Sequence, residues 1–259
     1  MGTTSEQSLR RSAHEIFEYV EDNAHAELRR STHGLAFSGL AGGFTMGLSG
    51  LGVAVAGVAL AGVPGSNFIA YTLYPLGFIA VIIGRAQLFT ENTLYPVALI
   101  LSERRHLGDT ARLWGVVFTG NVVGAVGFAA LASRSQALNQ PVQEALLQLG
   151  NQAAQGTLAH IFWSGVIGGW LIALVAWMVT ASHWTIGQIA VIWLLTFVVG
   201  VGHFSHCIAG TGEIMSAVFG GTVPFTRYLQ WLALATAGNI VGGVMIVTVL
   251  NFGQVKVGE

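Results

Sequence analysis

The sequence is poor in cysteine, lysine and charge, and each shortage excludes a class of protein. Cys207 is the only cysteine among 259 residues, so the chain can form no internal disulfide and no thiolate cluster for a metal. Lys256 is the only lysine and the net charge is −1, which leaves no basic surface for nucleic acid. Charged residues make up 9% of the chain, far below the roughly one quarter that is usual in soluble domains.

Motifs of enzymes are also missing. The sequence contains no phosphate-binding loop, no GxSxG and no HExxH. His203 and His206 have a helical i, i+3 spacing, but no third ligand accompanies them. We therefore expect neither an enzyme nor a resident cofactor or metal.

Long apolar segments dominate what remains. The chain is 53% hydrophobic, carries 35 glycines and has a mean hydropathy of +0.64. Since a membrane span needs about 20 apolar residues, the sequence predicts six helices, at 34–62, 67–101, 111–132, 158–181, 184–220 and 226–251. The predicted fold is an all-α membrane protein with a pore domain at 34–251, an N-terminal arm at 1–33 and a C-terminal tail at 252–259.

The second and fifth predicted spans are too long for one crossing, and both carry polar residues near the middle. These residues are Gln87, Thr90, Glu91 and Asn92 in one span, and His203, Ser205, His206, Thr211 and Glu213 in the other. Backbone that leaves the helix at membrane depth is tolerated only where protein or a water-lined cavity satisfies it. We interpret both spans as broken helices beside a transport path.

The two halves of the chain share three landmarks in the same order. Ser38–Phe44 reads SGLAGGF and Ser164–Trp170 reads SGVIGGW, while Gly120–Gly124 (GNVVG) matches Gly238–Gly242 (GNIVG). The polar breaks at Thr90 and His206 are expected to fall at corresponding places. Because each half has three spans, the halves must run in opposite directions, which predicts an inverted 3+3 repeat.

The arginines indicate the orientation. They cluster in the N-terminal arm (Arg10, Arg11, Arg29, Arg30) and between the second and third spans (Arg104, Arg105, Arg112), so both termini are expected in the cytoplasm. The arm itself has apolar residues at helical spacing, which predicts an amphipathic helix from about Ser5 to Arg30. Its alternative is a solvated leader that only makes oligomer contacts. The segment 133–157 is expected to be an outer loop with a short helix.

His206 is the first candidate for function. It can exchange a proton near neutral pH, and burial disfavours its charged form, so an arriving anion could restore that charge or accept its proton. The alternative is a neutral histidine that bonds a carbonyl of the helix break. Thr90 could bond His206 or could cap the second half-helix.

The remaining polar residues at membrane depth have open roles. Arg85, Glu91 and Glu213 are costly there unless paired, so we expect Arg85 to pair with one of the two glutamates or these groups to line the path. Asn121 and Asn239 each follow a glycine, and we count them among the residues of the substrate pathway. The alternative is that their amides satisfy backbone groups freed by the breaks.

These motifs resemble the formate/nitrite transporter family over about 34–251. Arg85–Thr90 (RAQLFT) is similar to the family's G-A-x-L-F-T loop, Phe204–Ala209 (FSHCIA) is similar to its F-E-H-S-I-A-N segment, and both G-N runs match. The resemblance implies an aquaporin-like protomer in a homopentamer of the cell membrane that passes small monovalent weak-acid anions with a proton. It makes His206 the central pore histidine and Thr90 its partner. It places the constriction at Tyr74, Phe78, Leu88, Phe89 and Val199.

Departures from the family pattern leave other functions open. Arg85 stands where the family pattern has a glycine, Ser205 where it has a glutamate and Gly210 where it has an asparagine. Gly168-Gly169 replace a Cys-Asn pair, and the lysine that the family has in its vestibule is missing. These changes suggest a divergent, YfdC-like branch. The alternatives are a channel for neutral small solutes, and a membrane scaffold or sensor in which the arm is the working part.

Overall fold

A computed structural model describes residues 11–256, and every regular element within that range is helical. The α-helices in chain order are α1 Ala13–Leu28, α2 Thr32–Met46, α3 Leu48–Ala59, α4 Ser66–Ala70, α5 Pro75–Ile83, α6 Tyr95–Glu103, α7 Leu107–Arg134, α8 Gln140–Ala154, α9 Leu158–Ala181, α10 Thr185–Val201, α11 Ala209–Phe219, α12 Phe225–Val241 and α13 Leu250–Lys256. A π-helical segment, Gly242–Val249, joins the last two, and short 3-10 turns follow α4 and precede α6.

The N-terminal arm forms the amphipathic helix α1. A capping box starts it: Ser12 Oγ accepts from the Glu15 N–H, and the Glu15 carboxylate accepts from the Ser12 N–H. Its buried face consists of Ile16, Phe17, Val20, Ala24 and Leu28. The predicted helix from Ser5 to Arg30 is thus confirmed over 13–28, and residues 5–10 of that prediction lie outside the described residues.

Within residues 11–256, five helical stretches are long and apolar enough to cross a membrane: Thr32–Ala59, Ser66–Ile83, Leu107–Arg134, Leu158–Ala181 and Phe225–Val255. The sequence predicted six. The fifth predicted span, 184–220, is divided in the structure, because α10 has 17 residues and ends at Val201 and α11 starts at Ala209. The second predicted span is divided as well, since α5 ends at Ile83 and α6 starts at Tyr95.

Glycines bring two pairs of helices into direct backbone contact. A Cβ atom on Gly43 of α2 would overlap the Asn121 carbonyl of α7, and a Cβ atom on Gly169 of α9 would overlap the Asn239 carbonyl of α12. In membranes, small residues let helices approach this closely, and the association is driven by packing rather than by the hydrophobic effect. The two glycine-rich motifs of the repeat therefore serve the same purpose in both halves.

The segment 133–157 contains the short helix that the sequence predicted, α8. Asn139 caps it by accepting from the Val142 N–H, and one face is buried against α3 and α11. Gly150 of that face lies against the backbone of Glu213. At the other end of the chain, helix continues through α13 to Lys256, beyond the predicted span end at 251, and the ring of Phe252 lies 5.9 Å from that of Phe17.

Candidate functional site

Both helix breaks start in the same way. Two residues after α5 and α10 end, Arg85 and His203 adopt left-handed backbone angles, with φ of 58° and 52°. In each break, the N–H of the next residue donates to the carbonyl five residues earlier, at 3.0 Å. Non-glycine residues seldom adopt this conformation, and where they do it is often at a functional site.

Asn239 holds the second break together with its side chain. Its Nδ2 donates to the carbonyls of Gly165 and Ser205, both at 2.8 Å, and its Oδ1 accepts from the Cys207 N–H at 2.9 Å. The side chain is fully buried. These three bonds satisfy backbone groups that the break leaves outside helical bonding.

Asn121 does the same for the first break. Its Nδ2 donates to the carbonyls of Gly39 at 2.7 Å and Gln87 at 2.8 Å, and its Oδ1 accepts from the Phe89 N–H at 2.8 Å. Serine hydroxyls complete both breaks: Ser38 accepts from the Gln87 N–H and Ser164 from the Ser205 N–H. Asn121 and Asn239 thus hold the breaks and line neither of the two cavities described below.

These hydrogen bonds set the register between the two breaks and correct one prediction. Gln87 corresponds to Ser205 and Phe89 to Cys207, so His206 corresponds to Leu88. Thr90 therefore lies two residues further along its break than His206 does in the other. The two breaks correspond as expected, but Thr90 and His206 do not occupy equivalent positions within them, because sequence comparison aligned the polar residues rather than the backbone contacts.

His206 and Thr90 nevertheless meet. The His206 Nε2 lies 2.8 Å from the Thr90 Oγ1, and both residues are buried, at 2% and 0% exposure. The other ring nitrogen, Nδ1, accepts the N–H of Ala209 at 3.1 Å. Because a backbone N–H can only donate, the neutral ring carries its proton on Nε2 and donates it to Thr90. The hydrogen of the Thr90 hydroxyl is then free to donate elsewhere.

One cavity reaches His206 from the side of α8. It has a volume of about 90 Å³, enough for about three waters at roughly 30 Å³ each or one small solute. We call it the Glu213 cavity, and its polar lining includes Tyr71, Gln152, His160, His203, His206 and Glu213. His203 lies between two of these groups, with Nδ1 3.2 Å from the Tyr71 hydroxyl and Nε2 3.3 Å from the Gln152 amide nitrogen.

A second cavity of about 80 Å³ lies on the side of the N-terminal arm. We call it the Glu91 cavity, and its polar lining includes Asn23, Glu27, Arg85, Gln87, Glu91 and Asn92. Two of these residues, Asn23 and Glu27, belong to α1. The Gln87 and Asn92 side chains bond each other at 2.8 Å. The arm therefore forms part of this cavity's wall.

The predicted ion pairs of Arg85 are absent from the part of the chain that the structure describes. No Arg85 nitrogen lies within 4.0 Å of a carboxylate oxygen of Glu91 or Glu213. Glu213 lines the opposite cavity from Arg85, which excludes that pair by position. Arg85 and Glu91 line the same cavity without a direct bond, and Arg85 is exposed.

Four of the five expected constriction residues lie at or between the cavities. Tyr74 and Val199 line the Glu213 cavity and Leu88 lines the Glu91 cavity. Phe78 packs edge-on against the His206 ring, with centroids 5.0 Å apart. Phe89 turns away, and its ring packs on Trp114 and Phe118 of α7.

The structure also shows which residue occupies the space beside Gly210, where the family pattern has an asparagine. A Cβ atom on Gly210 would overlap the Trp231 indole, which is 1% exposed and lines the Glu213 cavity. Gly168 and Gly169 are equally closed to side chains, because Ser205 and Asn239 backbone atoms contact them. At these three glycines, which replace larger residues of the family pattern, neighbouring atoms occupy the space that a side chain would need.

Sequence reasoning missed several residues of the two cavities. His203 was named as a polar residue of the second break and weighed as a metal ligand, but it was not counted among the pathway residues, whereas it lines the Glu213 cavity with Tyr71. A usable signal was present, since Gly202-His203 follows α10 as Gly84-Arg85 follows α5. The contributions of His160, Gln152 and the α1 residues had no local signal, because tertiary packing brings them to the cavities.

Comparison with known proteins gives consistent matches. A family profile described as "Formate/nitrite transporter" matches residues 14–253. The chain is 36% identical to the "Inner membrane protein YfdC" of Escherichia coli (strain K12), over 93% of this chain and 78% of that protein. Among solved structures, an "FNT family ion channel" aligns with a TM-score of 0.82 at 18% identity, covering 92% of this chain and 98% of that one. A "Pentameric formate channel with formate bound" aligns with a TM-score of 0.69 at 19% identity, covering 85% and 95%.

Proposed function

The chain belongs to the formate/nitrite transporter family, and from that premise we propose that it carries small monovalent weak-acid anions across a membrane together with a proton. The path leads from the Glu213 cavity, past the Thr90–His206 pair, to the Glu91 cavity. A formate channel among the solved structures that share this fold supports an anion of that size.

The observation that carries the proposal is the bond between Thr90 and His206. His206 lines one polar cavity, and Leu88 and Glu91, on either side of Thr90 along the chain, line the other. Phe78 packs on the His206 ring, and we take this apolar surrounding as the waist of the path. Since transfer of a bare carboxylate into apolar surroundings costs many kcal/mol, a charged anion does not pass this waist readily. A neutral acid of the same size does.

If the anion is protonated at the waist, it crosses the apolar region as a neutral acid and no net charge passes. The anion approaches His206 from the Glu213 cavity and accepts the hydrogen of the Thr90 hydroxyl, which the fixed imidazole tautomer leaves available. A proton that enters from the bulk solution as hydronium then joins the anion to form the neutral acid, and the acid releases that proton to water in the Glu91 cavity. Glu213, His203 and His160 line the entrance and are the groups that can hold protons there.

We further propose the architecture in which this path works. Six segments form an inverted 3+3 repeat with an aquaporin-like arrangement, which the matching asparagine and serine bonds of the two breaks support. Both termini lie on the cytoplasmic side of the cell membrane, following the arginine distribution. The pentameric neighbour supports a homopentamer with one path in each protomer. Lipid then contacts the outside of that assembly.

A second candidate is a channel for neutral small solutes. The observation that favours it is the charge of the Glu213 cavity: Glu213 is the one charged residue among its lining residues other than histidine, and none of the described lining residues is Lys or Arg. A carboxylate at an entrance repels anions and tolerates neutral solutes. The same cavity holds three histidines, and their protonation reverses that preference.

Uptake into proteoliposomes tests the two candidates. We would measure labelled formate and a neutral solute of similar size, with and without an inward proton gradient, for the wild type and His206→Ala. His183→Ala is the matched control, because His183 is exposed in the loop before α10. Coupled transport predicts formate uptake that rises with the gradient and collapses only in His206→Ala. Flux of the neutral solute alone, indifferent to gradient and variant, contradicts it.

A further inference from the structure

A second group of polar side chains lies away from the path, where the arm meets the start of α7. His25 of α1, Glu103 at the end of α6 and His106 just before α7 meet at one point. The His25 Nε2 lies 2.9 Å from Glu103 Oε1, and the His106 Nε2 lies 3.1 Å from Glu103 Oε2. All three side chains are partly buried, at 34%, 25% and 21% exposure.

These distances match the edges of a metal coordination shell. In a tetrahedral site with bonds of about 2.0–2.1 Å, neighbouring ligand atoms lie about 3.3 Å apart. The two observed contacts, at 2.9 and 3.1 Å, end on different oxygens of Glu103, so a rotation of the carboxylate is needed to bring one oxygen to both histidines. The three ligand atoms already lie within 4.8 Å of one another. Two imidazoles and one carboxylate also form a ligand set that is common for Zn²⁺.

A second carboxylate lies near His106. Its Nε2 faces the cluster, while its Nδ1 faces the Asp109 carboxylate at 3.7 Å. This distance is too long for a hydrogen bond, so Asp109 acts on the His106 ring through its charge. His106 also has a left-handed backbone, with φ of 72°, which is uncommon for a residue other than glycine.

Arg105 competes for the same carboxylate. Its Nε lies 2.5 Å from Glu103 Oε2, but its side chain is 68% exposed and can swing into water. Binding of a divalent ion replaces one positive charge at Glu103 with two. Displacement of Arg105 therefore removes no buried interaction.

We propose that His25 Nε2, a Glu103 carboxylate oxygen and His106 Nε2 bind a divalent transition-metal ion of the Zn²⁺ class, with water as the fourth ligand. Such an ion joins α1 to α6 and α7 by coordination. Asn23 and Glu27, which flank His25 on α1, line the Glu91 cavity, so the ion fixes one wall of that cavity. The binding does not depend on the function proposed above.

Titration of tag-free protein in detergent with Zn²⁺ alone tests the site by calorimetry. We expect one ion per chain, and at least about 100-fold weaker binding for His25→Ala, His106→Ala and Glu103→Gln. Asp109→Asn is expected to weaken binding less than these three variants do, because Asp109 contributes a nearby charge and no hydrogen bond to His106. His14→Ala is the matched control, because His14 lies on the same helix beside Glu18, and it is expected to bind as the wild type does.

Hydrogen exchange of residues 13–28 supplies a second readout. Zn²⁺ is expected to slow exchange in this helix for the wild type and for His14→Ala, and to leave it unchanged for His106→Ala. Gel filtration without metal shows whether each variant keeps its assembly. Zn²⁺ affinity that is equal in the wild type and in Glu103→Gln, or no binding at micromolar Zn²⁺, overturns the proposal.

Discussion

The two asparagines of the helix breaks permit a quantitative prediction. Replacing Asn239 by alanine removes three hydrogen bonds at once, two to carbonyls and one from a backbone N–H. Gly165 lies within α9, where its carbonyl keeps helical bonding, so the full loss falls on the Ser205 carbonyl and the Cys207 N–H. Both groups belong to a break that leaves the helix, and we find no replacement for them among the described residues.

The magnitude follows from the number of orphaned groups. Each buried polar group left without a partner costs about 1–3 kcal/mol, so two cost about 2–6 kcal/mol. At roughly 2–4 °C per kcal/mol for a chain of this size, the unfolding temperature in detergent falls by about 4–24 °C. Asn121→Ala is expected to lose a similar amount, because its bonds are the same in kind.

Thermal unfolding of the purified protein, followed by intrinsic tryptophan fluorescence, measures the effect. Asn251→Ala is the control, since the Asn251 amide donates one bond, at 2.8 Å, to the Val247 carbonyl one turn earlier. It is expected to change the unfolding temperature by less than about 2 °C. If Asn239→Ala unfolded within that same range, the account of how the breaks are held would be refuted.

Three further predictions concern single sites. Gly169→Ala, whose Cβ overlaps a backbone carbonyl of α12, is expected to prevent folding, so that the protein elutes as aggregate in gel filtration, whereas Gly57→Ala, with open space around it, is expected to elute as the wild type does. Thr90→Val is expected to slow formate uptake about tenfold or more, because it removes the acceptor of the histidine proton, and Thr90→Ser is expected to retain uptake. Hydrogen bonds from Arg105 and then His106 lower the pKa of Glu103 to about 2. Ionised Glu103 therefore stabilises the fold above about pH 4.5, and the difference in unfolding temperature between the wild type and Glu103→Gln is expected to shrink as the pH falls towards 2.

The spans could be predicted from the sequence because membrane helices are specified locally. Apolar runs placed the fourth span at 158–181, and α9 occupies the same residues. Polar residues within two long runs indicated both breaks. The lengths of α10 and α11 could not be predicted, because the polar residues of the break extend from His203 to Glu213 and hydropathy does not show that α11 starts again at Ala209 among them.

The sequence predicted the site only at residues whose type is rare at membrane depth. A histidine in one break and a threonine in the other predicted the Thr90–His206 pair. Their register was misjudged, since backbone bonds rather than side-chain polarity define which residues correspond. The direction of Phe89 and the contributions of α1 and α8 to the cavities depend on tertiary packing, which no local pattern encodes.

The central claim is that a proton accompanies each anion past His206. We would load proteoliposomes with a pH indicator, clamp the membrane potential with potassium and valinomycin, and record formate uptake and internal pH together. The account predicts one proton entering with each formate and a rate that the membrane potential does not change. Formate uptake that follows the membrane potential and leaves the internal pH unchanged would contradict it.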